Sequence, residues 1–179
     1  MMGVIERLQT LKLDMRTRIV ITVVFFVVAL IATMVGAIVL TIDMSDAQKL
    51  KGQIEEEFSL FNDPRSIFGN NFAYTLVMFI PIVGPIWGNF VLFNTGAVVA
   101  IFGVAEGIPP ILLLLFLLFT PVFWLEFGVY SVAMAQSVVL FIQMLRHRGR
   151  EEAMRTCVVI AVCAVVLLLS AVIEWLLYI

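Results

Sequence analysis

The chain has 179 residues, 63% of them hydrophobic and 13% charged, with 11 Lys and Arg against 13 Asp and Glu for a net charge of −2. Its mean hydropathy of +1.12 excludes an ordinary water-soluble domain, whose exposed faces need charged side chains. The absence of any Lys/Arg-rich run or aromatic–basic patch argues against nucleic acid as a partner.

Where the charges fall matters more than their sum. Between Arg65 and Arg146 lie 80 residues with no Lys or Arg, and Glu106 and Glu126 are their only charges. An ionised group near the bilayer centre costs roughly 2.5–3.5 kcal/mol, so lipid selects such a stretch. The chain therefore reads as an all-α, polytopic integral membrane protein of about five spans, with the lipid bilayer as its first partner.

In chain order, residues 1–18 carry Arg7, Lys12, Arg16 and Arg18 among apolar residues at helical spacing. They fit a basic cytoplasmic amphipathic helix or a leader that sets topology. Residues 19–179 form the transmembrane domain. The uncharged run 19–42 is the first span, too long for a cleavable signal peptide. An amphipathic loop helix is expected over 45–62, with a Ser45–Gln48 capping box and Ala47, Leu50, Ile54, Phe58 and Phe61 on one face. Glu55, Glu56 and Glu57 form its solvated side, and Asn62-Asp63-Pro64 ends it.

Pro81 and Pro85 break the next block into spans near 67–83 and 86–103, and Pro109-Pro110 marks a loop. The run 111–145 would be about 52 Å long as one helix. Pro121 is expected to split it into a half-helix and a full span, making a broken or re-entrant element. The last span is 157–179, where Cys157 and Cys163 read as small packing residues rather than a disulfide or metal pair. Residues 1–18 and the loop 146–155 each hold four Lys/Arg, so both read as cytoplasmic. The mainly acidic segment 43–65 reads as external. The expected protein is a multi-pass protein of the cell membrane, N-terminus inside and C-terminus outside.

Glu126 is the first candidate for function. An intramembrane carboxyl with no cation in its block is expected to stay neutral and hydrogen-bonded, facing the bundle interior or a wet cavity. It serves either as internal glue or as a proton- or cation-binding group. Asn70 and Asn71 cap a span or join this polar site, Asn94 is expected to bond across helices, and Gln136 to join a polar seam. Gly84, Gly88, Gly96 and Gly103 are expected at close helix contacts, although the proline within Gly84–Gly88 favours a bend there. Glu174, five residues from the C-terminus, reads as reaching interfacial water. Enzyme chemistry is not indicated. His147, the lone histidine, sits in an Arg-rich loop, and no nucleophile–base pair, metal-ligand set or phosphate-binding glycine loop is present. No cofactor is expected.

Phe68-Gly69-Asn70-Asn71, Asn94-Thr95-Gly96 and the Pro121–Glu126 segment occur in an order that resembles the stage II sporulation protein M family of small polytopic membrane proteins. Asn70 and Asn71 match its Phe-x-Asn-Asn start of the second span, and Asn94 its Asn-Gly. Pro121 and Glu126 match the ends of its Pro-His-Gly-x-x-Glu motif, whose His and Gly are replaced here by Val122 and Phe123. The resemblance implies a membrane anchor that recruits envelope-remodelling partners. The expected function is accordingly a non-enzymatic scaffold or assembly protein that docks other membrane proteins or a second copy. The alternative is a transporter or permease-like component with Glu126 as its midplane carboxylate.

Overall fold

The computed structural model describes residues 14–59 and 63–178, and the regular structure over these residues is entirely helical. Seven helices follow in order: α1 (Met15–Val39), α2 (Met44–Ser59), α3 (Pro64–Met78), α4 (Val83–Ala105), α5 (Pro110–Leu118), α6 (Pro121–Leu145) and α7 (Gly149–Tyr178). Four of them, α1, α4, α6 and α7, are long and apolar enough to cross a membrane, against about five expected; the span expected near 67–83 is the 15-residue α3, too short by that measure. The protein is thus an all-α membrane bundle of several spans.

Local chemistry sets the helix ends. Asp14 caps α1 by accepting from the Thr17 N–H at 2.9 Å. Asp63 caps α3 by accepting from the Arg65 and Ser66 N–H groups, with Pro64 pre-set for the first helical position. Thr120 and Pro121 play the same two parts for α6. The C-terminus of α4 closes with Gly107 in the left-handed region (φ +69), where the Ile108 N–H reaches the Gly103 carbonyl and the Gly107 N–H that of Val104. The end of α6 repeats this pattern with His147 (φ 59) in the glycine position.

Several boundaries differ from the sequence reading. Residues 15–18 belong to α1 rather than to a separate surface helix, while residues 1–13 lie outside the described part. The α2 helix starts at Met44, and the Asp43 carbonyl accepts the first bonds from Asp46 and Ala47. Ser45 therefore sits inside the first turn, not at the capping position. Ala47 is buried, Leu50 is exposed, and Phe61, Asn62 and the Phe58 side chain fall outside the described residues. Pro85 does not break a helix: it occupies the first turn of α4, where its missing N–H has no partner to lose. The reversal is made at Pro81-Ile82, where the Val83 N–H reaches the Pro81 carbonyl at 2.8 Å and Ile82 takes φ 69, ψ −46. This is a γ-turn of the rarer kind, strained for a β-branched residue. Ser137 holds it by donating to the Ile80 carbonyl at 2.7 Å.

These contacts fix the direction of each helix. The α3–α4 pair is an antiparallel hairpin, with Tyr74 against Trp87 and Met78 beside Gly84 and Gly88. The α1 helix crosses α4 where Gly36 meets Phe93 and Ala97 and Gly96 meets Thr33 and Ala37, and the two run parallel, since Ala37 and Ile38 near the end of α1 share a groove with Val104 near the end of α4. Arg18–Gln136 and Phe26–Trp124 set α1 antiparallel to α6, and the short turn at 146–148 returns the chain along α7. The chain thus passes up α1, down α3, up α4, down α5 and α6 together, and up α7. The α2 helix packs at the end where α4 finishes, tied by Lys51 to Glu106.

Twelve of the 25 residues of α6 are buried, which makes it the helix around which the others pack. Its inner face of Phe127, Tyr130, Ala133 and Met134 meets Ala29 of α1, Met78 of α3, Leu92 of α4 and Leu167 of α7. Glycine permits the closest crossings. A Cβ on Gly36 would lie 2.0 Å from the Phe93 carbonyl oxygen, and one on Gly96 would lie 2.0 Å from that of Thr33. Backbones this close gain dispersion and Cα–H···O contacts that larger residues would forbid.

Candidate functional site

Glu126 sits in the second turn of α6, placed there by the Thr120–Pro121 start of that helix. Across from it, the Asn71 side-chain N–H donates to its Oε1 at 2.7 Å, joining α3 to α6. Asn71 is itself steadied by Thr75, whose hydroxyl donates to the Asn71 carbonyl at 2.7 Å. On the third side, α7 brings Ser170 up to the carboxyl and places Glu174 within electrostatic reach. The Ser170 hydroxyl is fully buried and faces Glu126, yet its geometry falls short of a hydrogen bond. Tyr130, one turn along α6, closes the floor of the site, and the stacked Phe123 and Phe127 rings pack beside it. Chemically the site pairs a carboxyl with an amide donor, a spare hydroxyl and a second acid, in a seam among three helices.

The other sequence-selected residues go elsewhere. Asn70, next to Asn71 on α3, is half-buried and takes no part in the Glu126 bond. Gln136 belongs to a separate cluster ten residues farther along α6. There Arg18 makes a two-pronged pair with Glu152 at 2.6 and 2.7 Å, and Gln136 donates to Glu152 at 2.8 Å and to the Thr156 hydroxyl at 2.9 Å. This cluster fastens the start of α1 to the start of α7. The Glu152 side chain is only 3% exposed, so its charge is met almost wholly by protein.

Asn94 corrects an expectation. Its side-chain N–H donates at 2.7 Å to the Phe90 carbonyl one turn earlier in α4, and the residue is exposed on the outside of the bundle. The side chain, exposed at the bundle surface, finds its acceptor within its own helix. Gly84, Gly88, Gly96 and Gly103 are all buried in α4. A Cβ at Gly84 would lie 1.9 Å from the Met78 carbonyl oxygen, and one at Gly88 would lie 2.5 Å from the Met134 sulfur. The Gly84–Gly88 pair serves contacts to α3 and α6 within the chain.

Arg18, Glu152, Ser170, Glu174 and Gly36 were given no part in a site by the sequence reading. The signal for the first two was present: opposite charges each within the first turn of an apolar run. Glu174 is half-buried and lies within electrostatic reach of Glu126. Among the described residues no three of His, Cys, Asp and Glu gather as a metal would require. An open groove of about 800 Å³ lies at the opposite end of the bundle from Gln136, lined by Ala37, Thr41, Asp43, Asp46, Val104 and Pro110. Outside the membrane-spanning helices, two groups are shifted. Glu106 beside Lys51 raises the lysine's pKa, and the Ser66 hydroxyl and Arg65 N–H hold the Asp63 carboxyl below the usual carboxylate range. No family model, curated protein or solved structure matches this chain.

Proposed function

We propose that the protein is a non-enzymatic membrane scaffold, a bundle held stiff by polar links inside it and presenting its outer faces to other membrane proteins. The observation that carries this reading is the Asn71–Glu126 hydrogen bond, which uses an acid of the apolar block to tie α3 to α6. Support also comes from Asn94, which faces outward and so shares no common path with Glu126. The glycine crossings at Gly36 and Gly96 leave α1 and α4 little room to slide past each other. The resemblance to the stage II sporulation protein M family points the same way, as does the charge distribution. In this reading the protein lies in the cell membrane with its N-terminus and the Arg18 end cytoplasmic, and its C-terminus and the Asp46 end outside.

The competing reading makes Glu126 a transported ion's or proton's binding group, and a flux assay separates the two. Proteoliposomes carrying the wild type and Glu126→Gln should show the same proton and solute leak as protein-free vesicles. Flux in the wild type that the substitution abolishes would replace the scaffold with a transporter.

A further inference from the structure

Asn94 stands eleven residues from both Val83 and Ala105, at the centre of α4. It is therefore about 16 Å from either end of a membrane-crossing helix, deep in the hydrocarbon. One of its N–H groups is used on the Phe90 carbonyl. Among the described residues its Oδ1 receives no hydrogen bond and its second N–H reaches no acceptor, and the residue is exposed. Acyl chains offer neither donor nor acceptor, so an amide left in this state carries an unmet desolvation cost. The residues one and two turns before it, Phe90 and Ile86, are 57% and 71% exposed and lie on the same stripe. An aromatic row, Tyr74–Trp87–Phe90, stiffens one side of that stripe, with ring centroids 6.1 and 5.8 Å apart.

We infer that the Ile86–Phe90–Asn94 stripe of α4 is a self-association face, and that its occupant is the same stripe of a second copy. Chemical self-complementarity selects a second copy. A primary amide is both donor and acceptor, so a two-fold axis lets each Asn94 donate to the Oδ1 of the partner's Asn94. Membrane insertion supplies the register. Two copies inserted in the same orientation and related by an axis along the membrane normal present residue 94 at the same depth. Water does not compete for these groups at the bilayer centre, and the apolar side chains of the stripe pack around the pair. The inference does not depend on the scaffold reading, because a transporter would satisfy the same amide in the same way.

The test is the association constant of fluorescently labelled full-length protein, measured by energy transfer in proteoliposomes over a range of protein-to-lipid ratios. The wild type should form dimers. Asn94→Ala should weaken association by about tenfold, the worth of one or two intramembrane hydrogen bonds, and Asn94→Gln should restore most of it. The side chain is exposed and its hydrogen bond stays within α4, so these variants should keep the helical content of the wild type. A second measurement does not touch the amide. In a background of Cys157→Ser and Cys163→Ala, Phe90→Cys should cross-link between copies, and Val162→Cys on the exposed face of α7 should not. A monomeric wild type would overturn the inference. So would an Asn94→Ala variant that associates as tightly as the wild type, or equal cross-linking at both positions.

Discussion

At the level of single residues, the protein satisfies two acids in different ways. Glu152 has a cation against it, and Glu126 has only an amide. Removing Asn71 strips Glu126 of its donor, so Asn71→Ala should cost about 1–3 kcal/mol, read as a lower unfolding midpoint in detergent. Glu126→Gln keeps an acceptor for Asn71 and should cost well under half as much. Equal losses for the two variants would mean that the carboxyl is held by something other than this bond. Arg18→Ala takes the two-pronged partner from Glu152, leaving only the exposed Arg155 at 4.0 Å, and should cost about 3 kcal/mol. Adding Glu152→Gln to that variant should recover most of the loss, because the uncompensated charge is then gone. The sequence singled out Glu126 and Asn71 because polar side chains are rare in that block. It did not give their pairing across 55 positions, nor separate Asn71, which points inward, from Asn94, which points out. The α4 helix is apolar on every side, so periodicity carries no information about which face meets the bundle.

Among elements, the tightest joint is between α1 and α4. A methyl at Gly36 or Gly96 would drive into the facing helix's carbonyl, which only a shift of backbone can relieve. Each of Gly36→Ala and Gly96→Ala should therefore destabilise by about 1–3 kcal/mol, although alanine is the better helix former in isolation. A stabilised Gly96→Ala would show that the crossing is looser than described. The start of α3 gives a pH-dependent outcome. The folded pKa of Asp63 lies below its unfolded one, so its capping contribution is complete above about pH 4. That contribution fades as pH falls through the lowered folded value. Amide exchange in the first turn of α3 should accelerate over that acid range in the wild type and not in Asp63→Asn, which caps without titrating. The split at Pro121, which opens α6 after a half-helix, was readable in advance, whereas Asp63-Pro64, expected to end the loop helix, also opens α3. Pro85 misled because a proline letter does not say whether it falls inside a helix or in its first turn. Gly36 stayed hidden because a glycine among valines reads the same whether a helix lies against it or lipid does.

On the scale of the whole molecule, the chain is closed by links between distant segments. Arg18 with Glu152 joins the first and last described helices at one end, and Lys51 with Glu106 joins α2 to α4 at the other. Hydrophobicity made the membrane bundle legible, since lipid imposes long uncharged runs. The order in which helices pack was not legible, because it depends on small-residue contacts and on a few polar pairs that sequence distance conceals. The proposed topology sets residues 46 and 148 on opposite sides of the bilayer. The direct measurement is labelling by a membrane-impermeant maleimide of Asp46→Cys and Arg148→Cys, each in a chain lacking its native cysteines, in sealed vesicles of known orientation. The external reagent should modify the cysteine at 46 at once and the cysteine at 148 only after the vesicles are opened. Modification of both from the same side would contradict the proposed topology.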